Sequence, residues 1–172
     1  MQTFLFVNPE KCSGCRICEI VCSLHHEKVV NPARSRIQVI KWESSGLYIP
    51  MVCQQCESPI CETVCSMGAV SRDETTGALL IDYELCVGCK LCVTHCPFGG
   101  IVINKDRKVI KCDLCQGDPL CVKNCEPGAL QYIEANTINF LKRKAAAQKF
   151  SDLMQKMLTI ILLFPLIDYD IF

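Results

Sequence analysis

A chain of 172 residues with 18 acidic and 18 basic side chains, and a pI near 6.8, lacks the basic excess that marks nucleic-acid binding or attraction to anionic membranes. Half of its residues count as hydrophobic, but 16 of them are cysteines; without these the apolar share falls to about 41%, lean for a core held by apolar burial alone. The cysteines are therefore expected to help hold the fold, as disulfides, zinc ligands or iron–sulfur ligands.

Residues Met1 to Pro9 contain no basic n-region and no long apolar stretch, and no twin-arginine pair precedes Cys12. The expectation is a chain made and kept in a reducing cytoplasm, which argues against a disulfide scaffold. The first motif is Cys12, Cys15, Cys18 and Cys22, spaced C-x2-C-x2-C-x3-C. Its exit, Ser23-Leu24-His25-His26-Glu27, differs from those of the later motifs, so a different local shape is expected there. Then come 30 residues before Cys53, with a loop-like basic stretch, Asn31-Pro32-Ala33-Arg34-Ser35-Arg36, and a strand-like run from Ile37 to Trp42. This insertion is either a partner surface anchored by Trp42 or a cover over neighbouring sites.

The second motif is Cys53, Cys56, Cys61 and Cys65, spaced C-x2-C-x4-C-x3-C. Twenty residues separate Cys65 from Cys86, room for a β-hairpin through Asp73 to Gly77 and a return strand, Ala78 to Asp82. The third motif, Cys86, Cys89, Cys92 and Cys96, repeats the first spacing and is followed by Pro97 and a strand-like Gly100-Ile101-Val102-Ile103-Asn104. The fourth, Cys112, Cys115, Cys121 and Cys125, is spaced C-x2-C-x5-C-x3-C. A common turn follows three of the motifs: Cys65-Ser66-Met67-Gly68, Cys96-Pro97-Phe98-Gly99 and Cys125-Glu126-Pro127-Gly128. Its glycine suits a positive φ that closes a short helical turn before a strand.

From Asn136 the character changes. Asn136 or Thr137 can cap a helix, and Lys142 to Ala147 is strongly helix-forming. Phe150, Met154, Met157 and Ile161 then recur at helical spacing with Leu153 and Leu158 alongside, opposite Lys149, Asp152 and Lys156. Leu158 to Phe164 is almost wholly apolar until Pro165, far short of the roughly 20 residues that span a bilayer. Docking on another subunit is the expected role, ahead of packing on its own core or shallow membrane attachment. Leu166 to Phe172 has no interpretable pattern.

Four quartets with no cysteine left over point to iron–sulfur clusters. Three closely spaced thiolates wrap one corner of a cubane, and the fourth leads away to a neighbouring cluster, as in two-cluster bacterial ferredoxins. Zinc takes two separated C-x2-C pairs and has no use for a third cysteine at that spacing. The implied cofactors are four [4Fe–4S] clusters. Their thiolates and cores would add a charge of about −8 to the formally neutral chain. Arg16, Lys90, Lys111 and Lys123, between the ligands, either offset that charge or are ordinary solvated surface. No catalytic constellation appears: no cysteine is spare as a nucleophile, and Gly99-Gly100 belongs to the cysteine turn, not to a phosphate loop. His25, His26 and His95 are expected to be solvated or packed, because the cysteines already complete every cluster.

The linker between the second and third motifs matches a two-cluster ferredoxin, which leaves the first and fourth to pair around it. That gives Cys53, Cys56, Cys61 with Cys96; Cys86, Cys89, Cys92 with Cys65; Cys12, Cys15, Cys18 with Cys125; and Cys112, Cys115, Cys121 with Cys22. Sequential pairing, first with second and third with fourth, is the rival. The expected fold is α+β: two nested bacterial-type 2[4Fe–4S] ferredoxin-like units with short β-hairpins, plus a C-terminal helix. Residues 1–134 would form the cluster domain, with an inner unit of about 50–104 and an outer unit of about 1–49 plus 105–134; residues 135–172 would form the docking extension.

The quartets from Cys12 to Cys125, with Lys111-Cys112-Asp113-Leu114-Cys115, resemble the four-cluster electron-transfer subunits of the dimethyl sulfoxide reductase B-subunit type. The opening Ser13-Gly14-Cys15-Arg16-Ile17-Cys18-Glu19, Asn31-Pro32 with Ser35-Arg36-Ile37, and the helical tail after Glu134 are similar to the small polyferredoxin subunits of tungsten aldehyde oxidoreductase and benzoyl-CoA reductase complexes. The resemblance implies a non-catalytic subunit that relays single electrons between a large tungsten- or molybdenum-containing catalytic subunit and another redox subunit or carrier. A flavin-containing subunit or further copies of the chain are additional partners; nucleic acid and a transmembrane anchor are not expected. The alternatives are service to a carbon monoxide dehydrogenase or hydrogenase, or a free polyferredoxin.

Overall fold

The computed structural model describes residues 3–163, with side chains as far as Thr159. Two units emerge, residues 1–133 and 134–172.

The first unit is α+β and built of short pieces. β1 (Thr3–Val7) leads into the first motif, whose last two cysteines ride on the eleven-residue α1 (Ile17–Glu27). The different exit of this motif is thus a helix that continues two turns past Cys18. The insertion forms a hairpin of β2 (Ile37–Trp42) and β3 (Leu47–Val52), antiparallel, with Ile37 opposite Val52 and Trp42 opposite Leu47. Alternation along β2 buries Ile37 and Val39 and exposes Gln38 and Ile40. The buried face joins the main core, so this part of the insertion is a cover; Trp42, at the tip, is 48% exposed.

The three later motifs share one plan. Each sets its third cysteine on a four-residue helix: α2 (Ile60–Thr63), α3 (Leu91–Thr94) or α4 (Leu120–Lys123). The turn glycine follows, Gly68, Gly99 or Gly128, at φ of 62, 60 and 68°. A left-handed residue there stops the helical turn, and glycine adopts it without a Cβ clash. Strands β4 (Val70–Arg72), β6 (Ile101–Ile103) and β8 (Leu130–Glu134) begin just beyond.

β4 pairs antiparallel with β5 (Leu79–Ile81), and β6 with β7 (Val109–Lys111). The β4–β5 loop is tied by Asp73, whose carboxylate accepts from the Thr76 amide at 2.8 Å and hydroxyl at 2.6 Å. β1 pairs with β8, so strands from opposite ends of the unit meet; the Asn8 amide donates to Ala129 O at 2.7 Å. Two apolar cores result. One joins Ile37, Val52, Leu114 and Leu130 to Cys18, Cys22, Cys112 and Cys121. The other gathers Val70, Leu79, Ile101 and Val109 around Cys61. Cysteines are structural members of both, as the lean apolar composition requires.

The second unit is dominated by α5 (Ala135–Leu163). The helix starts directly after β8, so Asn136 and Thr137 lie inside its first turn rather than capping it. Its apolar residues do not gather on one face over the whole length, and Phe140, Phe150, Leu153 and Met157 are all more than half exposed. The side chain of Ile161, Pro165 and the tail from Leu166 lie outside the described residues. Among those described, no helix is long and apolar enough to cross a membrane.

Candidate metal centres

The fold brings the cysteines together in sets drawn from two motifs each. One cavity is lined by Cys12, Cys15 and Cys18 with Cys125. A second is lined by Cys86, Cys89 and Cys92 with Cys65. A third is lined by Cys112, Cys115 and Cys121 with Cys22. Of the remaining four, the Cys61 thiol feels the charges of Cys53 and Cys96, and Cys56 O accepts from Arg72. Gly100, at the end of the Cys96 turn, lies against the backbone of Cys53.

The loops between ligands are wound left-handed. Gly14 and Arg16 have φ of 70 and 63°, and Gly88 and Lys90 have 72 and 66° in the matching places of the third motif. In the fourth motif Leu114, Cys115, Gln116 and Gly117 are all left-handed. Backbone of this kind curls successive N–H groups into a concavity for negative charge, a recurring device at iron–sulfur sites. Holding a non-glycine residue there costs about 1–2 kcal/mol each, an expense that calls for a purpose. Two amides also donate directly to cysteine sulfur, Arg36 N–H to Cys22 Sγ and Leu130 N–H to Cys125 Sγ, each at 3.4 Å.

Burial pushes the Cys18 and Cys112 thiols up to about 12, and Cys121 higher still. Desolvation likewise raises Cys61, Cys92 and Cys115. Such thiols hold their protons at neutral pH unless a strongly positive centre takes the place of those protons. Four convergent sulfurs, no carboxylate among them, and N–H donors aimed at two of the sulfurs fit a [4Fe–4S] cluster.

The polar groups around the cysteines are what spacing alone does not reveal. Glu19 is 1% exposed; its carboxylate accepts from Arg16 Nε at 2.7 Å and from the Val39 amide at 2.6 Å, tying the first motif to β2. Arg36, from the basic loop, donates to Asp113 at 2.6 Å, so the insertion is clamped to the fourth motif. Burial alone would raise Asp113, but Arg36 and then His26 outweigh it and hold the carboxyl below its usual range. His26 Nε2 lies 3.5 Å from Asp113 and 3.8 Å from Cys115 Sγ, close enough that His25, His26 and Cys115 present donor atoms within 4.8 Å of one another. Burial, then the Arg36 charge, pushes His26 down to about 4, so its imidazole is packed and neutral. His25 and His95 are exposed, the latter with Nδ1 2.9 Å from Leu91 O.

The four interleaved cations separate cleanly. Arg16 is about half exposed and paired with Glu19, Lys90 is partly exposed, and Lys123 is exposed and paired with Asp118. Lys111 is not solvated surface: it is 3% exposed, because β7 runs between the two cores with all three of its residues buried. No motif in the sequence marks Gln55, which is 5% exposed and joins the second motif to Cys112 O at 2.9 Å.

The family profile described as a 4Fe–4S dicluster domain matches residues 44–143. The chain is 42% identical over 96 residues to the aliphatic sulfonate oxidoreductase polyferredoxin-like subunit of Pyrococcus furiosus, over 56% of this chain and 55% of that one. It is 37% identical over 126 residues to the putative electron transport protein YsaA of Escherichia coli, over 66% of this chain and 76% of that one. It spans little more than half the length of the first of these relatives. Among solved structures, a chain of the BamBC active-site complex of benzoyl-coenzyme A reductase superposes with a TM-score of 0.46 at 26% identity, over 91% of this chain and 96% of that one.

Proposed function

The chain belongs to the 4Fe–4S dicluster domain family, and from that premise we propose that it is the electron-wire subunit of an oxidoreductase complex, holding four [4Fe–4S] clusters in two nested ferredoxin-like units. The observation that carries this reading is the set of three cavities, each lined by three cysteines of one motif and the last cysteine of another. The proposed ligand sets are Cys12, Cys15, Cys18 and Cys125; Cys112, Cys115, Cys121 and Cys22; Cys86, Cys89, Cys92 and Cys65; and Cys53, Cys56, Cys61 and Cys96. The inner unit is formed by the second and third motifs and the outer by the first and fourth, consistent with the pairing of β1 and β8 and with the separate core around Cys61.

When bound, the clusters supply reversible one-electron reduction. The chain's own residues hold and tune the sites. Sixteen thiolates anchor them. The amides of Arg36 and Leu130 stabilise negative charge on Cys22 and Cys125. Ile37, Val39 and Val52 keep water from the outer sites. The catalytic work falls to a partner, proposed to be a large tungsten- or molybdenum-containing subunit in a cytoplasmic complex. That the chain serves an oxidoreductase partner is supported by the relative named as a polyferredoxin-like subunit of an aliphatic sulfonate oxidoreductase. The exposed Phe140, Phe150, Leu153, Met154, Met157 and Leu158 of α5 provide an apolar contact for it.

Native mass spectrometry of the protein purified anaerobically from its own cell tests this. A chain carrying four Fe4S4 units and a large metal-containing partner is expected. A lone four-cluster chain would make it a free polyferredoxin, and zinc or two clusters would defeat the ligand assignment. Replacing Cys22 and Cys125 together by serine should lower iron by the outer pair and spare the inner pair. Loss of the clusters on Cys53, Cys56, Cys61 and on Cys86, Cys89, Cys92, with the other two spared, would favour sequential pairing.

A further inference from the structure

Lys111 is a buried cation with no anion beside it. Its Nζ donates to Leu79 O, to Cys112 O at 3.0 Å and to Gln55 Oε1 at 3.4 Å. Three acceptors match the three protons of an ammonium group, whereas a neutral amine has only two to give. Among the described residues no carboxylate pairs with it. Asp113, which lines the same cleft, is engaged by Arg36. Carbonyl dipoles alone are a poor return for burying a full charge; such groups are ordinarily paired.

The position of the charge supplies the missing partner. Gln55 lies in the loop between Cys53 and Cys56, and Cys112 opens the fourth motif. Lys111 is therefore gripped by one loop of the inner unit and one of the outer. Gln55 completes the grip, with its own amide donating to Cys112 O at 2.9 Å and its Oε1 accepting from Leu79 N at 2.8 Å.

We propose that Lys111 is a built-in counter-charge shared by two clusters, the inner one on Cys53, Cys56, Cys61 and Cys96 and the outer one on Cys112, Cys115, Cys121 and Cys22. The inference rests on the cluster assignment proposed above. One-electron reduction takes a four-thiolate [4Fe–4S] site from a net charge of about −2 to about −3. A buried cation favours the more negative state of whichever neighbour holds the electron. Lys111 thus raises both potentials together.

The test is an electron-paramagnetic-resonance redox titration of the full chain, comparing the natural protein with Lys111→Met, Lys111→Gln and Lys111→Arg. Iron and sulfide are counted first. Methionine approximates the length of the stem without the charge, and it leaves Gln55 free to keep its bonds to Cys112 and Leu79. Expected is a full iron complement in Lys111→Met or Lys111→Gln, with two of four reduction steps moved to more negative potential, two unmoved, and recovery in Lys111→Arg. Lys123→Met, which removes an exposed cation, should move none of them. Four unshifted steps in iron-replete Lys111→Met and Lys111→Gln would overturn the proposal, as would an equal shift of all four. Neutral variants that lose clusters while Lys111→Arg keeps them would support the counter-charge, because retention would then follow charge. Loss in all three would overturn it in favour of a purely packing role. Fewer than four clusters in the unsubstituted protein would instead defeat the cluster assignment, and this inference with it.

Discussion

A methyl group added at Gly100 would fall 2.6 Å from Cys53 Cα, 3.0 Å from its amide nitrogen and 3.3 Å from its Cβ. Carbon atoms in contact settle at about 3.5–4.0 Å, so the two segments must part by about 1 Å. Two of the three obstructing atoms are backbone, and no flexible side chain can swing aside. Overpacking of this kind costs about 1–3 kcal/mol, or roughly 5- to 150-fold in the equilibrium for opening the contact. The strain acts directly on Cys53, a proposed inner ligand. Gly100→Ala should therefore lose the iron of one cluster to a chelator faster by about that factor, while the outer sites keep theirs. Gly99→Ala is the control: no atom lies within 4 Å of its added Cβ, and its cost of about 1–2 kcal/mol comes only from a φ of +60°. Iron release into a chelator, followed anaerobically alongside sulfide content and cluster spectra, reads the difference. A Gly100→Ala protein that releases iron at the natural rate would refute the steric argument.

Glu19→Ala removes the acceptor for the buried Val39 amide and should cost about 1–3 kcal/mol in anaerobic thermal unfolding, with Glu19→Gln retaining part of it. Tyr83 donates to Val109 O at 3.1 Å, and burial raises its phenol above the ordinary 10. A raised folded value means the contribution is fully present below pH 10 and lost as pH rises through the folded value. The stability gap between the natural protein and Tyr83→Phe, about 1 kcal/mol at neutral pH, should close in that alkaline range when measured by denaturant midpoints. Deleting the residues after Phe150 should abolish co-purification with the catalytic partner and leave iron content unchanged; intact co-purification would remove α5 from the docking surface.

Much of the first unit was legible because cysteine spacing and glycine placement act locally. The Cys-x-x-Gly turns, the hairpin through Asp73 to Gly77 and the strand from Ile37 to Trp42 each follow from a few consecutive residues. The convergence of cysteines from distant motifs was approachable because linker length limits which loops can meet. The polar lattice was not legible. Lys111 was singled out with Arg16, Lys90 and Lys123 as either a charge offset or solvated surface, but Glu19 and Gln55 look like surface residues in any window of sequence, and only the meeting of β2, β5 and β7 with the motifs buries all three. Arg36 was singled out as part of a basic loop, but its partner Asp113 lies 77 positions away, and no local pattern records that. The α5 start was misplaced by two or three residues because a capping residue was sought where the strand passes straight into the helix.

Charge explains why the buried lysine matters more than its neighbours. Arg16 is neutralised by Glu19, Arg36 by Asp113 and Lys123 by Asp118, so each pair presents little net field to its surroundings. Arg16 and Lys123 are also about half exposed, and solvent screens what field remains. Lys111 has neither a paired carboxylate nor solvent to weaken it, and a unit charge in a low-dielectric interior acts several-fold more strongly than one in water. A chain whose formal charge is zero can therefore still be strongly asymmetric where electrons pass. Arg16, Arg36 and Lys123 are used in ion pairs that fasten loops, while Lys111 stays buried with no carboxylate partner among the described residues, beside the loop of Gln55 and the backbone of Cys112.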